Sequence, residues 1–263
     1  MRIVSFNLLH GRSLTDGLVD PARLTEAVTS LRPDVLGMQE VDRGQSRSGG
    51  TDLTAVAAAA MDAAEWRFVP ALVGTPGGDW RAAGDEDTAE RGEAGYGVGL
   101  ASRLPVREWH VVRLPAARVR SPIMIPGTRR VVWLQDEPRV GLAAVVLTPS
   151  GPMTVATTHL SFVPGWNGVQ LRRLVKALRG LPAPQVLVGD LNMPGGLPRL
   201  LSGWRSLATV KTYPTDKPAI QLDHALGRGA LPAVRSAEAL AMPLSDHRAL
   251  VVELADVDAA VTS

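Results

Sequence analysis

The sequence contains no cysteine among its 263 residues. Disulfide bonds, thiolate ligation of a metal and catalysis by a cysteine nucleophile are therefore excluded. It also lacks any apolar run near the ~18 residues that a membrane-spanning helix requires, so we expect no transmembrane segment. The absence of cysteine is compatible with a reducing cytosol, and "MRIVSFN" reads as a strand and not as a signal peptide. We therefore expect a cytoplasmic location.

Charge of one sign and aromatic side chains are also scarce. The 28 basic and 26 acidic residues leave a net charge of +2, which predicts no general attraction to polyanions. Aromatic residues make up 4 % of the chain, which is few for a surface that stacks on nucleic-acid bases. The basic residues are almost all arginine, which suits phosphate binding. A GC-rich genome would produce the same bias, and we favour that explanation.

The beginning of the chain alternates predicted strands and helices, which is typical of a layered α/β fold. The first helix is predicted over 20–33, with Asp20 as its N-cap and Pro21 in its first turn. A run of strands is predicted within 95–160, followed by an amphipathic helix over 165–181 and three more strands.

No shift in composition marks a linker, so we predict a single domain over residues 1–255 and a flexible tail at 256–263. Residues 74–97 are rich in glycine and acidic side chains. A stretch of this length without apolar periodicity is predicted to be a disordered or solvated loop.

Polar side chains close several of the predicted apolar strands. Ligands bind outside strand ends in α/β sheets, so repeated endings of this kind suggest that the ends converge. Carboxylates with carboxamides form a hard-oxygen site that suits Mg²⁺, and histidines beside carboxylates can move protons near neutral pH. The residues are Asn7, Glu40, His159, Asp190 and Asn192, Asp223 and His224 in "LDH", and Asp246 and His247 in "SDH".

Each of these residues also has a purely structural interpretation. An asparagine at a strand end commonly forms a turn, Glu40 could be satisfied by Arg43, and a single histidine such as His159 is more often bonded to backbone. Their joint occurrence favours a site, because independent coincidences multiply. Of the remaining histidines, His110 is expected to be structural, and the role of His10 is left open.

The same segments resemble the endonuclease/exonuclease/phosphatase superfamily, the DNase I-like metal-dependent phosphoesterases. The resemblance covers nearly the whole chain and is greatest to bacterial members described as metal-dependent hydrolases. It implies a four-layer αββα sandwich with the active site at one edge of two stacked sheets. The segments are "SFNLLHG", "PDVLGMQEVD", "GYGVGLASRLPV", "TTHLS", "GDLNMP", "LDHAL" and "SDHRALVVEL".

The resemblance also implies a metal site. Glu40 would be the main ligand of Mg²⁺, or of Mn²⁺ in its place, and Asn7 would lie beside it. Asp246 would be a second contact to the metal or to the leaving group. Asp190 would orient or deprotonate the attacking water, or touch the metal.

The remaining catalytic residues follow from the same resemblance. His247 would pair with Asp223 and act as a base or as a contact to the phosphate. Asn192 and His159 would donate hydrogen bonds to the phosphoryl oxygens. One departure affects the substrate-binding edge: many relatives have "GNAILS" where this chain has "GYGVGLAS".

Three functions remain compatible with these residues. The first is a Mg²⁺-dependent phosphodiesterase or phosphatase for a small molecule, nucleotide or lipid head group, the second is a nuclease of the abasic-site or exonuclease type, and the third is a non-catalytic phosphate-binding module. Residues 103–139 carry eight arginines against three acidic residues, which is the kind of local excess that a nuclease needs. Because aromatic residues are few, we favour the first function.

Residues 113–135 are predicted to form a loop or a hairpin at the mouth of the site. Four arginines in this segment would either meet substrate anions or remain as surface charge: Arg118, Arg120, Arg129 and Arg130.

Overall fold

The computed structural model describes residues 1–87, 93–118, 120–124 and 131–255. Its helices are α1 (Pro21–Leu31), α2 (Leu53–Ala60), α3 (Trp166–Leu178) and α4 (Leu197–Ser202). Its strands in the first half are β1 (Arg2–Asn7), β2 (Val35–Arg43), β3 (Glu65–Gly74), β4 (Trp80–Ala82), β5 (Gly95–Ser102), β6 (Val106–Leu114), β7 (Arg120–Met124) and β8 (Val131–Gln135). The later strands are β9 (Arg139–Thr148), β10 (Gly151–His159), β11 (Gln185–Asp190), β12 (Arg205–Ser206), β13 (Asp223–Arg228), β14 (Val234–Leu240) and β15 (Ala249–Leu254).

Most of the strands form two mixed sheets. The seven-stranded sheet has the order β14-β15-β1-β2-β5-β3-β4, and the six-stranded sheet has the order β12-β13-β11-β10-β9-β6. Strands β7 and β8 pair with each other in a separate antiparallel hairpin.

Apolar side chains fill the space between the two sheets, including Val35 and Val98 from one sheet and Leu142, Val155 and Val188 from the other. A second core packs α1 and α2 on the outer face of the seven-stranded sheet, and a third packs α3 on the outer face of the six-stranded sheet. The fold is therefore the four-layer αββα sandwich that the resemblance implies.

A close contact and a buried hydrogen bond fix the two sheets against each other. Gly37 of β2 faces the six-stranded sheet so closely that a Cβ atom would lie 2.8 Å from Oγ1 of Thr157 and 2.9 Å from Cγ2 of Val188. Beside this contact, Nε2 of Gln39 donates to Oγ1 of Thr157 at 2.8 Å, and Oε1 of Gln39 lies 3.4 Å from Oγ of Ser5. Because these side chains are buried, the relative register of the sheets is well defined here.

Strand direction brings many strand ends to one edge of the sandwich. Strands β1 and β2 are parallel, and so are β10 and β11, whereas β15 and β13 run antiparallel to β1 and β11. The carboxyl ends of β1, β2, β10 and β11 therefore lie at the same edge as the amino ends of β13 and β15.

Several sequence predictions need correction. The predicted loop at 74–97 is wrong in part, since Trp80–Ala82 pair with the end of β3 and Gly95 already belongs to β5. The guanidinium of Arg81 binds both oxygens of Asp87 at 2.7 Å, which the charge pattern did not reveal. Strands β3, β4, β12 and β14 and helix α4 were not predicted. Residues 88–92 lie outside the described residues.

Other predictions are confirmed. Asp20 caps α1 by accepting a hydrogen bond from the backbone N–H of Ala22 at 2.9 Å. Strands β7 and β8 show that the hairpin alternative is correct for the segment 113–135. Arg129, Arg130 and the predicted tail at 256–263 lie outside the described residues.

We expect Gly37→Ala to lower the free energy of unfolding by about 1–3 kcal/mol, because the added methyl group would force the two sheets apart. The matched control is Gly180→Ala, where a Cβ atom meets nothing within 4 Å and the change should stay within about 0.5 kcal/mol. Urea denaturation of both variants gives the comparison, and an equal effect of the two substitutions would contradict the close sheet contact.

Candidate active site

The structure brings seven of the predicted site residues together at the edge where the strand ends gather. They come from both sheets: Asn7 ends β1, Glu40 lies in β2 and His247 precedes β15, whereas His159 ends β10, Asp190 ends β11, Asn192 follows it and Asp223 begins β13.

The amide of Asn7 joins two carboxylates. Its Nδ2 donates to Oε1 of Glu40 at 3.1 Å and to Oδ2 of Asp190 at 3.0 Å, so one carboxylate from each sheet lies against the same nitrogen. Its Oδ1 accepts from the backbone N–H of Leu9 at 3.1 Å, which fixes the orientation of the amide. Asn7 is completely buried, and Glu40 is half-buried.

The backbone at Glu40 is strained. Its φ is +52°, a left-handed conformation that non-glycine residues rarely adopt. The pairing of β2 with β5 shifts at this point, since Met38 faces Gly99 but Val41 faces Gly97. This β-bulge turns the Glu40 carboxylate towards Asn7, which a regular strand would not do. Burial raises the pKa of Glu40, while the hydrogen bond from Asn7 opposes that shift.

His247 and Asp223 form a hydrogen-bonded pair. Nδ1 of His247 lies 2.8 Å from Oδ2 of Asp223, and its Nε2 lies 3.7 Å from Oδ2 of Asp190. Burial disfavours the charged imidazolium, but the carboxylates of Asp223 and Asp190 outweigh it and raise the pKa of His247 to about 10. Burial raises the pKa of Asp190 in turn, against the attraction of His247.

His159 and Asn192 form the other side of the site. Nε2 of His159 lies 3.2 Å from Nδ2 of Asn192 and 3.5 Å from Oδ2 of Asp190. The backbone N–H of Asn192 donates to Oδ1 of Asp190 at 3.0 Å, and Nδ2 of Asn192 donates to the carbonyl of Leu160 at 2.9 Å. Burial, assisted by nearby Arg139, holds the pKa of His159 well below its ordinary value.

Sequence reasoning missed three residues that support this site. Oγ of Ser245 donates to the carbonyl of Asn7 at 2.6 Å and accepts from the backbone N–H of His247 at 3.0 Å. The ring of Tyr213 lies 4.8 Å from the imidazole of His247. Arg139 begins β9 and reaches Nδ1 of His159 at 3.3 Å. Ser245 is the first residue of the "SDH" motif, so the motif could have indicated it. No sequence motif marks Tyr213 or Arg139.

The other candidates lie around this group. Asp246 is half-buried, and its charge helps to raise the pKa values of Glu40 and Tyr213. His224 faces away from the site and bonds to the carbonyl of Met193 at 2.8 Å. His110 pairs with Glu108 at 3.1 Å on β6, as expected for a structural residue.

His10 follows β1 with φ +47°. Burial, with the charge of Arg47, lowers its pKa to about 4. The histidine that the sequence left open is therefore neutral near pH 7.

The donor set suits a hard divalent cation. The carboxylates of Glu40 and Asp190 lie close together. A cation between them would offset the cost of burying their negative charge, which is what raises both pKa values. Among the described residues, Asp190, Asp223 and His247 also offer ligand atoms within 4.8 Å of one another. Because Nδ1 of His247 is already bonded to Asp223, we interpret that trio as a proton-transfer pair beside a carboxylate.

The fold agrees with comparisons to known proteins. The family model described as "Endonuclease/Exonuclease/phosphatase family" matches residues 4–247. The chain belongs to this family, as the motif resemblance predicted, and membership supports phosphoester hydrolase or nuclease-type activity. A comparison with curated proteins finds no significant match.

Solved structures share the fold at low sequence identity. An endonuclease/exonuclease/phosphatase from Beutenbergia cavernae is 20 % identical with a TM-score of 0.67, and the match covers 96 % of this chain and 70 % of the other. A mannosyl-6-phosphatase from Bacteroides thetaiotaomicron is 15 % identical with a TM-score of 0.59, covering 97 % and 100 %. D. rerio TDP2, complexed with a single-strand DNA product, is 16 % identical with a TM-score of 0.58, covering 96 % and 97 %.

Within the described residues, no helix has the length and apolar character needed to cross a membrane.

We expect Asp190→Asn to increase the free energy of unfolding of the metal-free protein at pH 8, by on the order of 1 kcal/mol. The amide is uncharged, whereas the buried carboxylate has a raised pKa and is costly to ionise. In the unfolded chain an aspartate ionises with a pKa of about 4. The stability that the parent protein loses by burying an ionised carboxylate is therefore recovered as the pH falls towards that value. The advantage of the variant should therefore shrink on acidification.

Denaturation in EDTA at pH 8 and pH 5 measures this effect. The control is Asp79→Asn at an exposed position, which should change stability little at either pH. A variant less stable than the parent at pH 8, or an advantage that grows at pH 5, would contradict the expectation.

Proposed function

We propose that this protein is a Mg²⁺-dependent phosphoester hydrolase, with Mn²⁺ as an alternative ion, that acts in the cytoplasm on a small phosphoester. The observation that carries the proposal is the convergence of two carboxylates on Asn7 with the His247–Asp223 pair facing one of them. Family membership supports the hydrolytic chemistry.

The metal would be held by Glu40, with Asn7 and Asp246 beside it. Glu40 fits this role because the residue is only partly buried and its carboxylate is turned into the site by the bulge in β2. When bound, a divalent ion supplies positive charge that neutralises the phosphoryl group and supports the leaving oxygen.

The chain's own residues would handle the proton and the developing negative charge. Asp190 lies between Asn7, His159 and His247, where it can orient a water molecule for attack. Asp190, whose pKa is raised by burial, can accept a proton from that water, and His247, held as an imidazolium by Asp223 and Asp190, can donate from Nε2 to a phosphoryl oxygen. Nδ2 of Asn192 and Nε2 of His159 lie where preorganised donors can stabilise phosphoryl oxygens.

Several arginines that seemed available for nucleic acid are engaged within the protein. Nε of Arg103 donates to the carbonyl of Met61, Arg107 pairs with Glu108, and Arg113 binds the carbonyl of Gly84. Arg139 is buried at the site. The pairing of Arg107 with Glu108 and the burial of Arg139 reduce the charge that a nucleic acid backbone could reach on this segment, and they favour a small substrate.

A nuclease remains the second candidate because of one surface feature. An open groove beside the start of α3 is lined by Trp166 together with Arg118 and Arg173, and the guanidinium of Arg173 lies 5.8 Å from the Trp166 ring. An aromatic ring with two arginines suits a base and its phosphates. The similarity of fold to D. rerio TDP2 with single-strand DNA is compatible with this alternative.

A substrate panel with Mg²⁺ and EDTA arms distinguishes the candidates. It includes sugar phosphates, nucleotides, inositol phosphates, sphingomyelin-like lipids, single-stranded DNA and abasic DNA. Turnover of a small phosphoester supports the first function, and turnover of DNA with a steep loss of affinity in salt supports the nuclease. Binding without turnover of any member would indicate a phosphate-binding module and would overturn the enzymatic proposal.

We expect EDTA to abolish turnover and Mg²⁺ to restore it. In Glu40→Gln, the Mg²⁺ concentration for half-maximal rate should rise by about tenfold or more, because a charged ligand becomes a neutral one. The control is Glu108→Gln, which removes an exposed carboxylate from β6. Identical Mg²⁺ activation curves for the two variants would exclude Glu40 as the main ligand.

We also expect Asp190→Asn and His247→Ala each to lower kcat by about 10²–10⁴-fold while the fold is retained. His110→Ala is the matched histidine control and should keep the parent rate, because its imidazole pairs with Glu108 outside the site. Steady-state rates are compared with circular dichroism of each variant. If both site variants are folded and turn over substrate at the parent rate, the assigned roles are wrong.

A further inference from the structure

Arg139 is a buried cation that is ion-paired with two carboxylates, but its hydrogen-bonding capacity is incompletely used within the described residues. Its side chain is 6 % exposed, and its NH2 lies 4.0 Å from carboxylate oxygens of both Asp136 and Glu137, beyond hydrogen-bond distance. Within the described part of the chain, no hydrogen-bond partner is found for its Nε or for Oδ1 of Asp136. The contact that its guanidinium does make towards the site is with Nδ1 of His159, at 3.3 Å.

That contact determines which nitrogen of His159 carries the proton. A guanidinium has five N–H donors and no acceptor, so it can bond to Nδ1 only where Nδ1 presents a lone pair. A neutral imidazole has one donor nitrogen and one acceptor nitrogen, and the proton must then be on Nε2. An imidazolium would direct an N–H group at the cation, which is unfavourable in a buried site.

The Nε2 proton of His159 then meets a second donor. Nδ2 of Asn192 lies 3.2 Å from Nε2, and the amide of Asn192 is held in this orientation because Nδ2 also donates to the carbonyl of Leu160 at 2.9 Å. Two N–H donors at this separation cannot satisfy each other. Oδ2 of Asp190 lies 3.5 Å from Nε2 of His159, at the limit of hydrogen-bond distance, so both N–H groups can still donate to a single acceptor oxygen within reach of the two nitrogens.

We propose that Arg139 is a positioning residue: by donating to Nδ1 of His159, it keeps the imidazole proton on Nε2, so that His159 and Asn192 form a pair of neutral donors for one phosphoryl oxygen. This role rests on the proposed phosphoester hydrolysis. It also assigns His159 as an oxygen-binding donor and not as a general acid, because the imidazole keeps its proton throughout the reaction.

The tautomer can be measured without any assay of activity. The full chain is labelled with ¹⁵N-histidine, and long-range ¹H–¹⁵N correlation spectra are recorded with and without inorganic phosphate, with His159→Gln used to assign the ring signals. We expect an unprotonated Nδ1 and a protonated Nε2 for His159 in the parent protein. A protonated Nδ1 would overturn the proposal, whatever the substrate proves to be.

Kinetics test whether Arg139 acts through His159. With the best substrate of the panel, we expect Arg139→Met to lower kcat by about 10–100-fold with a smaller change in KM, and Arg139→Lys to recover part of the loss because ammonium also only donates. In the His159→Ala background, the same Arg139→Met change should cost less than about threefold. Independent effects that multiply in the double variant would overturn the proposal.

A control variant separates this role from a structural one. Arg113→Met removes a partly buried arginine from the neighbouring strand, where it binds backbone carbonyls of Pro70 and Gly84, and it should leave the His159 tautomer and kcat near the parent values. If Arg139→Met does not fold, the parent spectrum and Arg139→Lys still decide the question. A parent protein with the expected tautomer but no turnover on the panel would refute the proposed function and leave the Arg139–His159 contact supported.

Discussion

The hydrogen bond from Gln39 to Thr157 is the contact on which the geometry of the site depends. It crosses from one sheet to the other in a buried region and lies beside Gly37, where the sheets approach closely. Glu40 follows Gln39 directly, and His159 stands two residues after Thr157 on the same side of its strand. A fixed register at this level therefore fixes the separation of the functional side chains above it, although those side chains belong to different sheets.

Burial and charge then set the chemistry of the site. The protein interior disfavours ionised carboxylates, and it nevertheless places Glu40, Asp190 and Asp223 near one another. One amide and one histidine compensate for this crowding. The amide of Asn7 donates to both Glu40 and Asp190, and His247 lies between Asp190 and Asp223. Burial and the charge of Arg139 hold the pKa of His159 down, whereas carboxylates raise the pKa of His247, so the two histidines of the site have different protonation states and separate tasks.

The convergence of the site residues could be predicted from the sequence, because the ends of strands can be recognised where an apolar run stops at a polar residue. Apolar runs that close on Asn7, Glu40, His159 and Asp190 predicted convergence, and parallel pairing of neighbouring strands produces it. The bulge at Glu40 was not predictable, since a left-handed glutamate has no local sequence signature and is imposed by tertiary contacts. Arg139 was missed for a related reason: an arginine at a strand start resembles surface charge until the fold buries it. Short edge strands such as β4 depend on pairing more than on their own composition.

The choice of asparagine at position 7 has a consequence for how the protein matures. An aspartate there would add a third negative group to the contact between Glu40 and Asp190, and the polypeptide could then close around this pocket only with a cation already inside. The carboxamide instead donates to both carboxylates, so the contact between them forms without an ion. If the proposed function is correct, the scaffold can assemble before the metal is loaded, and removal of the ion would stop turnover without unfolding the protein.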